Sequence, residues 1–408
     1  MKILFITNQI PFPPDNGVRI VSHHAMRLMH DAGHELALAV LTEESDNIDL
    51  RFKIASDFCQ NGMTLLTRLP QRNRLLIQFF AILKNRLFFI ERYRNTIFRK
   101  ELKVLIDRFK PDVIHFDLIP MTQYYDLIPL DVGTIASIND SYALTLENSL
   151  SIGYYSKLSK LYRKIQLRQT SNYESTTYQN FDAVHTMTEI DACYLRKLNP
   201  KIKTTVISNG IDPSLTNITS DTYGYSDVIF VANLVAENLV YLQHFLEKSW
   251  PIVLDKCPDA KLHVVGKLNP EAMALKAQGE NIKGVIFLGY VECLADAYRG
   301  CGISIVPVNK NCGIVNKAIE AMAAGLAVIG FNKTFTGIKH AHKDEHFIAV
   351  ADYICMGHAV VDLIQDDLHR KKIQQSAHQM AIKHYSWASR SKSYSEMYKD
   401  AKQNKSMC

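Results

Sequence analysis

Two stretches of this chain repeat one rhythm, a short apolar strand, a helix and another strand, and that alternation restricts the fold more than any other feature. Lys2 to Thr7 is a continuous apolar and β-branched run bounded by the turn-forming segment Pro11 to Gly17. Val18 to Ala32 places Val21, Ala25, Leu28, Met29 and Ala32 at helical spacing, with Gly33 as the stop. Glu35 to Leu41 is the next strand. The four pieces make a βαβ unit, which demands a parallel sheet with helices on both faces. Further strands are expected at Val113 to Phe116, Gly133 to Ile138, Ala183 to Met187 and Thr205 to Ile207, so the first sheet runs to residue 208.

After the softer segment 209–227, rich in Gly, Ser, Thr and Asn, the rhythm restarts. Val228 to Val231, Lys261 to Val265, Val285 to Leu288, Gly302 to Val306 and Ala327 to Ile329 read as strands, with helices at Val240 to Lys256 and Asn316 to Ala324. The fold class expected is therefore α/β, with two Rossmann-like doubly wound domains, 1–208 and 228–385, joined by a linker at 209–227. Ligands of open α/β sheets bind at the carboxyl ends of the strands, which places the expected site in a cleft between the domains.

At 408 residues the chain is long enough for two such cores, and its 47% hydrophobic and 22% charged residues are those of an ordinary globular protein. Its eight cysteines lack C-x-x-C spacing, which argues against a zinc ribbon, a redox dithiol or a disulfide framework and fits a reducing cytoplasm. No metal motif and no cofactor are expected. The net charge of +6 favours phosphate ligands or an acidic surface without requiring nucleic acid, and no nucleic-acid partner is expected. No apolar run approaches the ~20 residues of a membrane-spanning helix. Between Arg68 and Lys110, however, twelve Lys and Arg face three acidic residues, interleaved with LLIQFFAIL and RLFFI. That segment reads either as an amphipathic surface for an anionic membrane or as helices packed on the domain with solvated basic faces.

Several residues are candidates for chemistry. The loop after the first strand, NQIPFPPDNG, lacks the G-x-G-x-x-G of a dinucleotide site, but Gly17 opens the following helix, whose amides could hold an anion or a sugar hydroxyl. Asn311 to Gly330 puts Gly313 in a loop and Glu320 in a helix of small residues. A carboxylate there needs a partner, either a ribose diol or a structural cation. Lys317 and Lys267 are the cations available for a diphosphate, or are ordinary solvated lysines. PDVIHFD ends a strand with His115 and Asp117, the catalytic candidates, and Asn139 and Asp140 end the next.

VISNGID at Val206 to Asp212 resembles the interdomain segment of the GT-B glycosyltransferases of family four, and KAIEAMAAGLAVIG resembles their donor-site signature. VIFVANL, HVVGK and IFLGYV are similar to strands of the family's nucleotide-binding domain, and HYSWASRSKSY resembles its closing helix, here 386–408. The resemblance implies a retaining transfer of a sugar from a nucleotide-sugar donor to an acceptor hydroxyl. The acceptor would be a sugar, a lipid-linked group or a protein, in assembly of a bacterial surface polysaccharide or glycolipid, in the cytoplasm or on the inner face of the membrane. It makes Glu320 the ribose ligand, with Gly313 and Lys317 near the donor and Asp117 on the acceptor side. Two departures stand out: Glu320 matches the second of two family glutamates, but the first, eight residues earlier, is Cys312 here, and the loop ANLVAENLV carries no cation. The alternatives are a glycosyltransferase-like binding subunit and a nucleotide-sugar epimerase.

Overall fold

The computed structural model describes residues 1–14, 17–43, 47–59, 63–70, 73–152, 156–218, 225–279, 282–309 and 314–406. The chain divides into two units, Met1–Ser208 with Arg390–Cys408, and Asn209–Ser389.

The first unit runs β1 (Lys2–Thr7), α1 (Gly17–Asp31), β2 (Glu35–Thr42), α2 (Ile48–Ser56) and β3 (Thr64–Arg68). Three helices follow, α3 (Arg74–Leu83), α4 (Phe88–Arg92) and α5 (Thr96–Phe109), then β4 (Val113–Asp117) and β5 (Gly133–Asn139). It continues with α6 (Tyr142–Ile152), α7 (Lys157–Thr177), β6 (Ala183–Thr186), α8 (Glu189–Leu198) and β7 (Thr204–Val206). All seven strands are parallel in the order β3-β2-β1-β4-β5-β6-β7. The direction of winding reverses between β1 and β4, so their carboxyl ends, Thr7 and Asp117, flank the switch point where such sheets bind ligands.

The second unit holds α9 (Pro213–Thr216), β8 (Asp227–Val231), α10 (Ala236–Lys248), α11 (Trp250–Lys256), β9 (Leu262–Val265), α12 (Pro270–Gly279) and β10 (Val285–Gly289). Then come α13 (Leu294–Tyr298), β11 (Cys301–Val306), α14 (Asn316–Ala323), β12 (Ala327–Phe331), β13 (Ile348–Val350), α15 (Tyr353–Gln365) and α16 (Asp367–Tyr385). Its six parallel strands are ordered β10-β9-β8-β11-β12-β13, with the switch between β8 and β11. Apolar side chains fill both faces: Ala318, Met322 and Val328 belong to one cluster, Phe230, Val264 and Ile305 to the other. Gly266 (φ +157°) packs so closely on the loop after β8 that a Cβ would stand 1.8 Å from the Ala232 carbonyl oxygen.

The helix expected over Val240 to Lys256 is two helices, because Pro251 lacks the N–H that would continue the ladder and opens a new first turn instead. Ser249 Oγ at the break donates to the Tyr353 carbonyl at 2.6 Å. The edge strands β3 and β13 were not expected. Within 209–227, Ile211 N–H donates to the Tyr385 carbonyl (2.7 Å), and Gly210 lies so close to the Trp387 indole that a Cβ would come within 2.3 Å of it.

The last helix, α17 (Trp387–Ser406), packs from Arg390 onward on the first unit. Ala401 crosses Gly133 where a Cβ would be 2.6 Å from its carbonyl oxygen, and Lys402 pairs with Asp112 at 2.8 Å.

Candidate functional site

In the second unit two of the candidates, Lys317 and Glu320, lie together on the helix that follows the switch-point strand β11. Helix α14 follows β11, and its thinness comes from buried Ala318, Ala321 and Ala323, which let it lie close against the sheet. Lys317 and Glu320, three residues apart, lie on neighbouring positions of one helix face. Lys317 Nζ donates to Asn238 Oδ1 of α10 at 3.1 Å and sits 5.7 Å from the centre of the Phe230 ring of β8. The cation is thus held at the carboxyl end of the strand where the winding reverses.

Glu320 is half-buried, and its carboxylate makes no hydrogen bond among the described residues. Burial first, and then the Asp212 carboxylate, push its pKa up to about 7, with Lys317 opposing. Tyr298 beside it is fully buried, with no partner for its hydroxyl among the described residues; burial and then the charge of Glu320 raise that phenol well above its ordinary value. Asn209 Nδ2 donates to Asn316 Oδ1 at 2.8 Å, tying 209–212 to the first turn of α14. The result is an unwired acceptor carboxylate beside a fixed cation, an arrangement able to accept hydroxyl donors at one end and hold an anion at the other. Lys267 is exposed at the end of β9. Gly313 and Cys312 lie outside the described residues.

In the first unit Asp117 is fully buried at the end of β4. Its Oδ2 accepts from Thr7 Oγ1 (2.9 Å) and Ser22 Oγ of α1 (2.6 Å), while Oδ1 has no partner among the described residues. Burial raises its pKa to about 6, against the two hydroxyl bonds that lower it. Asn8 and Asn139 each add a buried side-chain oxygen without a partner among the described residues. Asn139 ends β5 in a left-handed conformation (φ +60°), and Asp140 next to it is exposed. Gly17 is exposed at the start of α1.

His115 is enclosed. Its ring lies between Phe5 (4.8 Å) and Tyr398 of α17 (5.8 Å, stacked), and Tyr398 Oη is 2.7 Å from Nδ1. Burial, then the neighbouring His185, lowers its pKa to about 3, so the ring is neutral. His185 is used likewise, with Ser137 Oγ at 2.9 Å on Nδ1 and the Ile207 carbonyl at 2.9 Å on Nε2, beneath Tyr394 of α17. The structure therefore brings Asp117 to the switch point and seats His115 under the last helix.

Sequence reasoning missed Thr7, Ser22, Asn238 and Tyr298. Thr7 was findable, because it ends β1 as Asp117 ends β4; Ser22 interrupts the apolar stripe of α1 at a buried position. Asn238 and Tyr298 carry no local signal, since their roles arise only from packing. Among the described residues no group of three or more His, Cys, Asp or Glu is arranged to hold a metal ion.

Two family models match the chain: one described as Glycosyltransferase Family 4 over residues 15–215, and one described as Glycosyl transferases group 1 over residues 225–366. No curated protein matches it by sequence. Among solved structures, sucrose-phosphate synthase from Thermosynechococcus elongatus aligns with a TM-score of 0.72 at 14% identity, covering 100% of both chains. TarM of S. aureus, in complex with UDP, aligns at 0.68 and 10% identity over 97% of this chain and 99% of its own. HepE of Anabaena, in complex with UDP-glucose, aligns at 0.63 and 12% identity over 100% of both. At these identities the likeness is one of fold, two doubly wound parallel sheets.

Proposed function

The chain belongs to the group 1 glycosyltransferases, the GT-B family, and from that premise we propose that it transfers a sugar from a nucleoside-diphosphate sugar to an acceptor hydroxyl with retention of anomeric configuration. The observation that carries this reading is the juxtaposition on α14 of a carboxylate with no hydrogen bond among the described residues, Glu320, and a fixed cation, Lys317, at the β8/β11 switch point. The ribose diol donates to Glu320. Lys317 stands at the diphosphate, where negative charge collects as the bond from the anomeric carbon to the phosphate oxygen breaks. The acceptor oxygen forms the new bond to that carbon and gives up its proton to the departing diphosphate oxygen. UDP is the nucleotide bound in two of the structures of like fold, TarM and HepE, which supports a uridine donor here.

On the acceptor side we assign Asp117, whose Oδ1 is left for a hydroxyl while Oδ2 is fixed by Thr7 and Ser22. His115 we assign to positioning: it holds α17 through Tyr398 and touches no reacting atom. Gly17 and Lys267 are secondary candidates for donor binding, Gly17 through the first amides of α1 and Lys267 at the diphosphate. The setting proposed is assembly of a bacterial surface polysaccharide or glycolipid at the cytoplasmic face of the membrane, on a sugar, lipid-linked or protein acceptor. The reading is tested by incubating the chain with UDP-, GDP- and ADP-sugars, with and without a membrane extract, and following nucleoside diphosphate release and the anomeric configuration of the product. Release from one donor class, stimulated by the extract and with the configuration kept, is expected. An inverted product overturns the retaining assignment, and no release from any donor overturns the activity.

A further inference from the structure

We propose that the face of the first unit formed by α3 and α7 is a docking surface for an anionic lipid bilayer. Helix α3 buries only Ile77 and Ala81 and leaves Leu75, Leu76, Phe79, Phe80, Ile82 and Leu83 exposed, Leu75 to 74% and Leu83 to 65%. At 100° per residue these six cover roughly 160° of the helix, a continuous apolar surface turned to solvent. Exposed apolar area on that scale, outside a subunit core, marks an interaction surface.

The charge comes from α7. Leu158, Leu161 and Ile165 recur at i, i+3 and i+7 and are exposed, Leu158 to 82%. Lys157, Lys160, Lys164 and Arg168 form an exposed stripe beside them, and no acidic residue occurs in 157–173. The two helices are neighbours. They flank one groove lined by Gln78, Ala81 and Ile82 of α3 and Tyr162, Gln166 and Gln169 of α7, and Gln169 Nε2 donates to Asn85 Oδ1 at 3.2 Å. Apolar side chains beside long cationic ones are what a helix lying in the headgroup layer presents, the apolar residues entering the acyl boundary and the lysines reaching the phosphates.

The basic segment Arg68 to Lys110 fits this role only in part. Arg68, Lys84 and Arg86, Arg92, and Arg99 pair with Asp49, Glu91, Glu43 and Asp126 respectively, and α5 turns Phe98, Leu102, Ile106 and Phe109 into the core. Among the described residues no helix is long and apolar enough to cross a membrane, and α3 spans only about 15 Å, so the surface lies on the bilayer rather than through it. A second copy of the chain fits less well, because a two-fold contact sets a patch against itself and would oppose like-charged stripes.

The test is flotation of the full chain with phosphatidylcholine vesicles and with vesicles containing phosphatidylglycerol, at low and high salt. Binding is expected on the anionic vesicles alone, falling about tenfold or more as salt rises. Two variants at exposed positions, Phe79→Glu with Phe80→Glu, and Lys160→Glu with Lys164→Glu, should each lose binding by about tenfold or more while keeping the wild-type melting temperature. Equal partition to neutral vesicles, unchanged binding in both variants, or no vesicle binding by a dimer that the α3 variant dissociates, would each overturn the proposal.

Discussion

The two sheets each bring a carboxylate to a topological switch point, and they treat it in opposite ways. Asp117 is fully buried and wired, with two hydroxyls on one oxygen; Glu320 is half-buried and bare, with a lysine three residues away. Burial lifts both pKa values, to about 6 for Asp117 and about 7 for Glu320. Burial leads both shifts; at Asp117 the two hydroxyl bonds oppose it, whereas at Glu320 the Asp212 carboxylate adds to it and Lys317 opposes. A wired carboxylate has a fixed orientation and one oxygen to offer. A bare one is an open demand for donors, which a nucleotide can meet. The contrast predicts that the second unit carries affinity and the first carries geometry.

The largest effect should follow from removing that demand. Glu320→Ala is expected to weaken nucleoside diphosphate binding by ~1.5 to 3 kcal/mol, the range for hydrogen bonds to a charged group. Calorimetric titration of the folded variant checks it; wild-type affinity would take Glu320 out of the donor site and break the contrast.

Asp117→Asn keeps the wiring and removes the charge. A carboxyl whose pKa is raised on folding, here from 3.8 to about 6, stabilises the native state fully below 3.8, and that contribution is lost as pH rises through 6. The wild type should therefore lose on the order of 2 kcal/mol of stability between pH 4 and pH 8 that the Asn variant does not lose. Urea midpoints of both proteins across that range measure the difference. Parallel pH curves would mean that Asp117 is ionised and solvated in the native state.

How far these sites can be read from the residues follows from where their information lies. The central strands of both sheets were legible because buried parallel strands are unbroken β-branched runs, and Glu320 stood out because a carboxylate among small apolar residues has no local partner. Edge strands such as Thr64–Arg68 and Ile348–Val350 are short and half-buried, so no run marks them. The break at Ser249 was readable from Pro251. The enclosure of His115 was not legible, since its place at the end of PDVIHFD says nothing of the Tyr398 hydroxyl that reaches it from 283 residues away. Separation in sequence also hides Asn238, which holds Lys317 across 79 residues.

Lys317→Met sharpens the comparison from the cation's side. If Lys317 meets the leaving diphosphate, turnover should drop by about tenfold or more, ~1.4 kcal/mol in the barrier. If it only holds Asn238, stability should fall slightly and turnover stay intact, which would shift the role to Lys267.

The smallest effect is also the most diagnostic, because its sign reverses on binding. Glu320, with a pKa raised from 4.5 to about 7, stabilises the free protein fully below 4.5 and loses that contribution as pH rises through 7. The group keeps contact with solvent, so screening reduces the effect to about 1 kcal/mol. A ribose diol donating to the carboxylate favours its charged form, lowers its pKa and makes nucleotide binding release a proton near neutrality. Nucleotide affinity should then strengthen from pH 6 to pH 8 while the free protein weakens. Glu320→Gln, which cannot ionise, should flatten both curves at once. Titrations in buffers of different ionisation enthalpy read the proton directly: release by the wild type and none by the variant is expected. Release undiminished in Glu320→Gln would place the titrating group elsewhere and leave Glu320 as a carboxyl held neutral by its surroundings, no longer the bare partner of Asp117.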